Sequence, residues 1–177
     1  MSVPAALTAI LTLGPAYGLQ LHGELGARLP HRANTNVGQI YSTLERLTRD
    51  GVVERSGETQ DGLPLYAITA LGHDKAREWL AAGEITKTSP WTEIIDVLML
   101  GSTIEASPVE QACARVREIS WAEGEAQSLS SRASSHFGTA VLAVVNDVEE
   151  SIRSKSLPLR GLDDERPTRG RRPKQNP

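Results

Sequence analysis

The segment from residue 34 to residue 51 constrains the fold more than any other part of the chain. Its apolar residues recur at the spacing of one helical face, and its hydrogen-bonding residues recur on the opposite face. Asn36 is predicted to cap this helix, with Gln39 completing a capping box, and Gly51 is predicted to end it. The apolar face comprises Val37, Ile40, Leu44 and Leu47, and the polar face comprises Gln39, Ser42, Thr43, Arg46 and Arg49.

Two shorter helices are predicted before this segment and a β-hairpin after it. The first helix covers residues 3–13, and the second follows Gly18 and ends at Pro30. Residues 52–55 and 65–68 read as strands on either side of a polar loop. The order of three helices and a hairpin is the beginning of a winged helix-turn-helix.

A fourth helix is expected to begin at Thr69, which can cap it, and to end at Gly83. Its apolar stripe comprises Leu71, Ala76, Trp79 and Leu80. The pattern then breaks around Lys87 to Pro90, so we place the first domain at residues 1–83. The predicted fold class is mainly α (α+β), a winged helix-turn-helix followed by a helical dimerisation domain.

The second predicted domain, residues 91–155, reads as helical throughout. An apolar helix covers residues 92–100, and Ser107 with Pro108 signals the start of a long helix. Ser134 and Ser135 are predicted to interrupt that helix, and a last helix carries Val141, Leu142, Val144, Val145, Val148 and Ile152. These apolar stripes favour pairing with a second copy of the chain. Residues 156–177 form a basic tail, expected to be disordered, that either attracts phosphates or only keeps the chain soluble.

The composition narrows the class of protein. A net charge of −3 means that any nucleic-acid surface is local. No apolar run is long enough for a bilayer and no export segment is recognisable, so we expect a cytoplasmic protein without a membrane partner.

The single cysteine, Cys113, is expected to be a small buried hydrophobe. The scattered histidines and the lack of catalytic or phosphate-binding motifs argue against a hydrolase or metalloenzyme, so we expect no enzyme, cofactor or metal.

Three stretches resemble the phenolic-acid decarboxylase regulator (PadR) family of bacterial repressors: residues 6–23, the helix from Gly38 to Gly51, and the return from Tyr66 to Gly72. The specific features are the Gly-x-Ile-Tyr opening of the third helix, its Leu-x-Arg-Leu centre, and the Gly-Val-Val exit into the hairpin. The resemblance covers most of residues 3–83. It implies a dimeric repressor, often released from its operator by a small ligand.

One departure from the family pattern concerns the wing. Family members carry basic residues just before the tyrosine of the returning strand, whereas this chain has Leu63-Pro64-Leu65. A weaker or differently oriented wing contact with DNA is implied. Tyr41, whose family counterpart commonly touches the DNA backbone, is retained.

The third helix has the polar face needed to enter a DNA major groove by its amino-terminal end. Thr35, Asn36, Gln39, Ser42 and Thr43 are predicted to contact base edges or adjacent phosphates, and Tyr41, Arg46 and Arg49 mainly phosphates. Two such helices in a homodimer require a palindromic operator in double-stranded DNA. The alternative for the two arginines is ion pairing with Glu45 or Asp50 on a solvated face. Gln60, in the wing loop, is assigned either to the minor groove or to a plain hairpin turn.

Tryptophans are the candidate walls of an effector pocket for a small hydrophobic or aromatic ligand. They are Trp79, Trp91 and Trp121, and the alternative for each is core or interface packing. The main rival function is a winged helix that binds only protein, which the acidic wing loop and the negative net charge favour.

Overall fold

The computed structural model describes residues 2–86, 88–119, 129–156 and 159–162. The elements are α1 (Ser2–Ile10), β1 (Ala16–Tyr17), α2 (Gly18–Arg28), α3 (Val37–Arg49), β2 (Val53–Glu58), β3 (Pro64–Ile68), α4 (Ala70–Leu80), α5 (Trp91–Ile104), α6 (Ala106–Glu118) and α7 (Leu129–Arg153). Single 3₁₀ turns follow α1 (Leu11–Leu13) and α2 (Pro30–Arg32). The predicted winged-helix fold, mostly helical with a small antiparallel sheet, is confirmed.

The sheet has three strands in the order β1-β3-β2, one more than the sequence predicted. β1 pairs with β3 through Ala16 opposite Tyr66. Its two residues are too few to display the alternation that identifies a strand in a sequence. β2 also extends three residues beyond the predicted end at Arg55, because a bulge between Arg55 and Gly57 lets pairing with β3 continue.

The ends of α3 follow from local chemistry. The Asn36 side chain accepts a hydrogen bond from the backbone N–H of Gly38, at 2.7 Å, so the predicted cap is confirmed. At the other end, Gly51 has φ +69° and donates to Thr48, while Val52 donates to Leu47. These two bonds form a Schellman motif, in which the left-handed residue is normally glycine.

Two details of the predicted α3 are wrong. The side chain of Gln39 makes no hydrogen bond within the described part of the chain, so the second half of the capping box is not formed. Val37, assigned to the apolar face, is 36% exposed because it lies in the first turn, before the helix reaches the core.

The expected cap of α4 is confirmed, since the Thr69 hydroxyl accepts from the N–H of Gly72. The predicted end at Gly83 needs correction. Ala82, with φ +57°, occupies the left-handed position, and Gly83 follows it with its N–H bonded to the carbonyl of Glu78. Leu71, assigned to the buried stripe, is 48% exposed.

The carboxy-terminal helices differ from the prediction at three boundaries. α5 runs four residues beyond Leu100, to Ile104. α6 begins at Ala106 with Glu105 at the cap position, so Ser107 is inside the helix and is not its cap. Pro108 is still tolerated, because backbone N–H groups in the first turn have no partner within the helix. α7 continues through Ser134 and Ser135, where a break was predicted.

The buried apolar residues form one cluster that extends from α1 to α7. α5 packs against α1, α2 and α4 of the winged helix as well as against α6 and α7. Val141, Val145 and Val148 of α7 are covered within the chain, so this stripe does not by itself require a partner subunit. None of the helices in the described ranges has the length and apolarity needed to cross a bilayer.

Candidate nucleic-acid interface

The polar side of α3 lies along an open groove of about 630 Å³. α3 contributes Gln39, Ser42, Thr43, Arg46 and Arg49 to its lining, α1 contributes Val3 and Pro4, and the start of α5 contributes Thr92 and Glu93. Ile40, Leu44 and Leu47 on the opposite side of α3 are buried. The helix is thus anchored by its apolar side while a row of polar side chains faces solvent.

Arg46 and Arg49 are exposed, and neither forms an ion pair with another described residue. Pairing with Glu45 or Asp50, the alternative reading of these arginines, is therefore not seen in the structure. A free guanidinium on a helix face is a suitable phosphate ligand, because its charge is not already neutralised by a carboxylate. Gln39 is exposed beside them, and neither the oxygen nor the N–H₂ of its side-chain amide is used by another described residue.

Three of the predicted contact residues form side-chain hydrogen bonds to backbone groups just before or within the first turns of α3. The Thr35 hydroxyl donates to the carbonyl of Arg32, and the Ser42 hydroxyl donates to the carbonyl of Gln39. The Asn36 oxygen is engaged in the cap, which leaves its amide N–H₂ as a donor. Each of the three residues keeps a polar atom that can still meet DNA.

Thr43 was predicted to lie on the contact face, but its side chain is only 6% exposed. Position 43 lies one residue before Leu44, and the helix is buried over a wider arc there than the sequence pattern suggested. We therefore exclude Thr43 from the contact group.

Tyr41 is half-buried beside the first residue of α2. A Cβ atom added at Gly18 would lie 2.5 Å from Cε1 and 2.7 Å from Cζ of the Tyr41 ring. Because real side chains do not approach so closely, Gly18 is the residue that makes room for the ring. The phenol is consequently held at the junction of α2 and α3.

The wing ends in a closed turn. Gly62 donates to the carbonyl of Thr59 across the turn, and the Thr59 hydroxyl accepts from Leu63. Gln60 lies at the exposed apex of this turn. Arg55, an exposed base on β2, was overlooked because the sequence reasoning weighed only the loop.

Sequence reasoning also missed Arg32 and Asp96. Arg32 lines the groove along α3 and pairs with Asp96, which is fully buried on α5. A lone acid between the apolar residues Ile95 and Val97 was the available signal, since a buried carboxylate requires partners.

Trp79 and Trp91, the two tryptophans within the described residues, do not line a common groove. Trp79 lines a second groove of about 410 Å³ between α1, α3 and α4, with Arg46 and Lys75 on its rim. Its buried Nε1–H has no hydrogen-bond acceptor among the described residues. Trp91 packs, half-buried, against the core away from this groove, and Trp121 lies outside the described residues.

Cys113 is buried on α6, as expected. Burial raises the pKa of its thiol to about 11, and the negative charge of Glu149 adds to the effect. The thiolate needed for redox chemistry or metal binding is therefore disfavoured at neutral pH.

The family model of PadR-like transcriptional regulators matches residues 7–78 of the chain. This range begins in α1 and ends in α4, so it contains α2, α3 and the whole hairpin. No curated protein matches the chain.

Proposed function

The chain belongs to the PadR-like family of transcriptional regulators through residues 7–78, and we propose that it is a dimeric repressor that inserts α3 into the major groove of a palindromic operator. Family members regulate transcription and are not enzymes. The operator, the dimer and the direction of regulation are the parts that we add as a proposal.

The observation that carries the proposal is a pair of exposed arginines on the outer side of α3 that have no ion-pair partner in the described part of the chain, with Gln39 beside them. Arg46 and Arg49 supply phosphate contacts that position the helix, and Gln39 supplies a bidentate amide that matches the edge of adenine. Asn36 and Ser42 extend the polar row toward the helix start, and Thr35 lies beside it. Tyr41, packed at Gly18, is proposed as a further contact to the DNA backbone.

The nearly balanced charge of residues 1–83 favours a dimer over a single DNA-binding subunit. Residues 1–83 contain 7 lysines and arginines against 8 aspartates and glutamates, so a single subunit offers little general attraction to DNA. Two linked binding surfaces raise the affinity without a new contact, because the second surface binds at a high effective concentration. Residues 91–155 are the proposed dimerisation part, and sedimentation of the purified protein with and without DNA measures the stoichiometry.

The contribution of the wing and of the tail is secondary in this proposal. Gln60 at the turn apex and Arg55 on β2 are exposed, and they are the proposed wing contacts to the minor groove or its phosphates. The tail carries Arg166, Arg169, Arg171, Arg172 and Lys174. Of residues 156–177, the structure describes only residue 156 and residues 159–162, so these basic residues lie outside the described part of the chain. The proposed role of the tail is unspecific phosphate attraction.

A small-molecule effector is the remaining part of the proposal. The groove lined by Trp79 has a volume in the range typical of ligand sites, and the indole N–H of Trp79 has no acceptor among the residues that the structure describes. Arg46 borders both this groove and the DNA-facing one, so a ligand there would compete for the same guanidinium. A ligand that quenches tryptophan fluorescence and releases DNA from the parent, but not from Trp79→Phe, would support this site.

The experiment that tests DNA recognition begins with selection of bound sequences from random DNA by the purified chain. We expect Gln39→Ala to relax the base preference at one position, with a loss of about 1–3 kcal/mol in discrimination. We expect Arg46→Ala to weaken binding to all sequences alike and to lower the salt dependence by about one phosphate contact.

Matched controls are available on other helices. Gln111→Ala on α6 and Arg77→Ala on α4 remove the same side-chain types from exposed positions outside the groove along α3. Both are expected to bind as the parent does. A chain that binds no DNA at low salt would instead favour the rival function, a winged helix that binds only protein.

A further inference from the structure

Asp96 is the one fully buried carboxylate in the described part of the chain, and both of its oxygens are used. Oδ1 accepts from Nε2 of His31 at 2.7 Å and from Nε of Arg32 at 3.3 Å. Oδ2 accepts from Nη2 of Arg32 at 2.7 Å. The two Arg32 bonds form a bidentate pair, which fixes orientation as well as distance.

The partners of Asp96 lie at the turn of the helix-turn-helix. His31 and Arg32 belong to the 3₁₀ turn after α2, whereas Asp96 is in the second turn of α5. The contact therefore joins the start of the helical carboxy-terminal half to the segment that aims α3.

Further hydrogen bonds connect this contact to Thr35, the residue before the cap of α3. The carbonyl of Arg32 accepts from the backbone N–H and the hydroxyl of Thr35, at 2.9 and 2.7 Å. The carbonyl of Thr35 is also held, by Nε2 of His22 in α2 at 2.8 Å. Asn36, the next residue, caps α3. A movement of the Arg32 backbone would therefore be transmitted to the amino-terminal end of α3.

Arg32 also faces the groove along α3, on the side where α5 begins. Its guanidinium lies between the buried Asp96 and the groove that Gln39 and Arg46 line. The position of α5 thus fixes the wall opposite the DNA-facing side of α3.

We infer that Asp96 is a positioning residue for base recognition: it holds the turn before α3 so that Asn36 and Gln39 meet base edges in register. Asp96 itself is buried and does not contact DNA. This inference rests on the proposed DNA-binding function. In this role, α5 sets the orientation of α3 relative to the bases. Changes in the carboxy-terminal half would then reach the operator-binding side of α3 through α5.

The test substitutes Asp96→Asn in the full chain and compares the affinity for the selected operator with the affinity for random-sequence DNA at the same salt concentration, per folded molecule. The amide replaces one acceptor oxygen by a donor, so the His31 bond and the bidentate pair with Arg32 cannot all be kept. We expect the ratio of specific to unspecific affinity to fall about tenfold, the loss typical of one misplaced base contact. The affinity for random DNA is expected to stay within about a factor of two, because Arg46 and Arg49 are still present.

Thr103→Val is the matched control. It removes a partly buried hydrogen bond, from Nη1 of Arg28 to the Thr103 hydroxyl, at the other end of α5. It is expected to lower the stability and to leave the specificity ratio unchanged.

His31→Ala keeps the inference testable if Asp96→Asn does not fold. His31 is 33% exposed, and its removal leaves the Arg32 pair in place. We expect a smaller fall of the ratio, about threefold, in the same direction.

An unchanged ratio in the folded variants, or an equal loss of both affinities, would overturn the positioning role. Failure of the parent to select any sequence would instead reject the proposed function.

Discussion

At the residue level, Gly18 shows how the lack of a side chain makes room for Tyr41, a proposed DNA-contact residue. The ring of Tyr41 occupies the space that a Cβ at position 18 would take. Glycine is needed there for room and not for backbone freedom, since position 18 is the first residue of α2. α3 carries Tyr41, and α2 makes room for its ring at Gly18. The two helices are therefore matched at this contact.

Gly18→Ala is expected to displace the Tyr41 ring, to destabilise the fold by about 1–3 kcal/mol through overpacking, and to remove about one phosphate contact from the salt dependence of binding. Chemical denaturation and salt titration of DNA binding measure the two effects. Gly23→Ala is the control on the same helix, because nothing lies within 4 Å of a Cβ there. In that control, the free energy of unfolding should rise by about 0.5–1 kcal/mol, and DNA binding should match that of the parent. Equal behaviour of the two variants would contradict this account.

At the scale of elements, α3, α4 and the sheet are joined where three backbone segments meet. The Thr69 hydroxyl, which caps α4, donates to the carbonyl of Gly51 at the end of α3. A Cβ at Gly72 would lie 2.2 Å from the carbonyl oxygen of Val52. The hairpin is thus attached to α3 by backbone contacts that tolerate no added atom.

Two glycine substitutions separate crowding from backbone strain at this junction. Gly72→Ala pushes a methyl group against a backbone oxygen, and we expect a cost of about 3 kcal/mol. Gly51→Ala has open space around the added methyl but φ +69°, so we expect only the left-handed penalty of about 1 kcal/mol. Unfolding in urea measures both. The reverse order of the two costs would show that the Val52 contact relaxes freely.

At the scale of the whole molecule, α5 joins the two predicted domains. Arg28 of α2 is 3% exposed and donates to Glu24, to Thr103 at the end of α5, and to the carbonyls of Arg160 and Gly161. Together with the Asp96 contact, it ties both ends of α5 to the helix-turn-helix. Because the buried cluster is also continuous, the sequence-based boundary between residues 83 and 91 does not divide the core.

The continuous core predicts that the described parts unfold together. Tryptophan fluorescence and far-ultraviolet circular dichroism should give coincident transitions. Leu25→Ala in α2 and Val145→Ala in α7 both remove fully buried side chains, so each should lower the single midpoint for both probes. Two separated transitions, each sensitive to only one of the variants, would show that the halves are independent.

Features that depend on neighbours along the chain were readable from the amino-acid sequence alone. Residues within a turn or two of one another specify the buried positions Ile40, Leu44 and Leu47 of α3, its cap at Asn36, its end at Gly51 and the cap of α4, and these were predicted correctly. The order of the first four helices and the hairpin followed from the same local signals, and it was enough to place Gln39, Arg46 and Arg49 on one outward face.

Features that depend on segments brought together by folding became visible in the three-dimensional structure. β1 exists because β3 pairs with it, Thr43 is buried by the packing around α3, and the Asp96 contact joins positions 65 residues apart. Periodicity reports how each helix divides into two faces, but it does not report which partner covers a face. A buried carboxylate and its distant bases therefore become recognisable as a unit only when their separation in space is known.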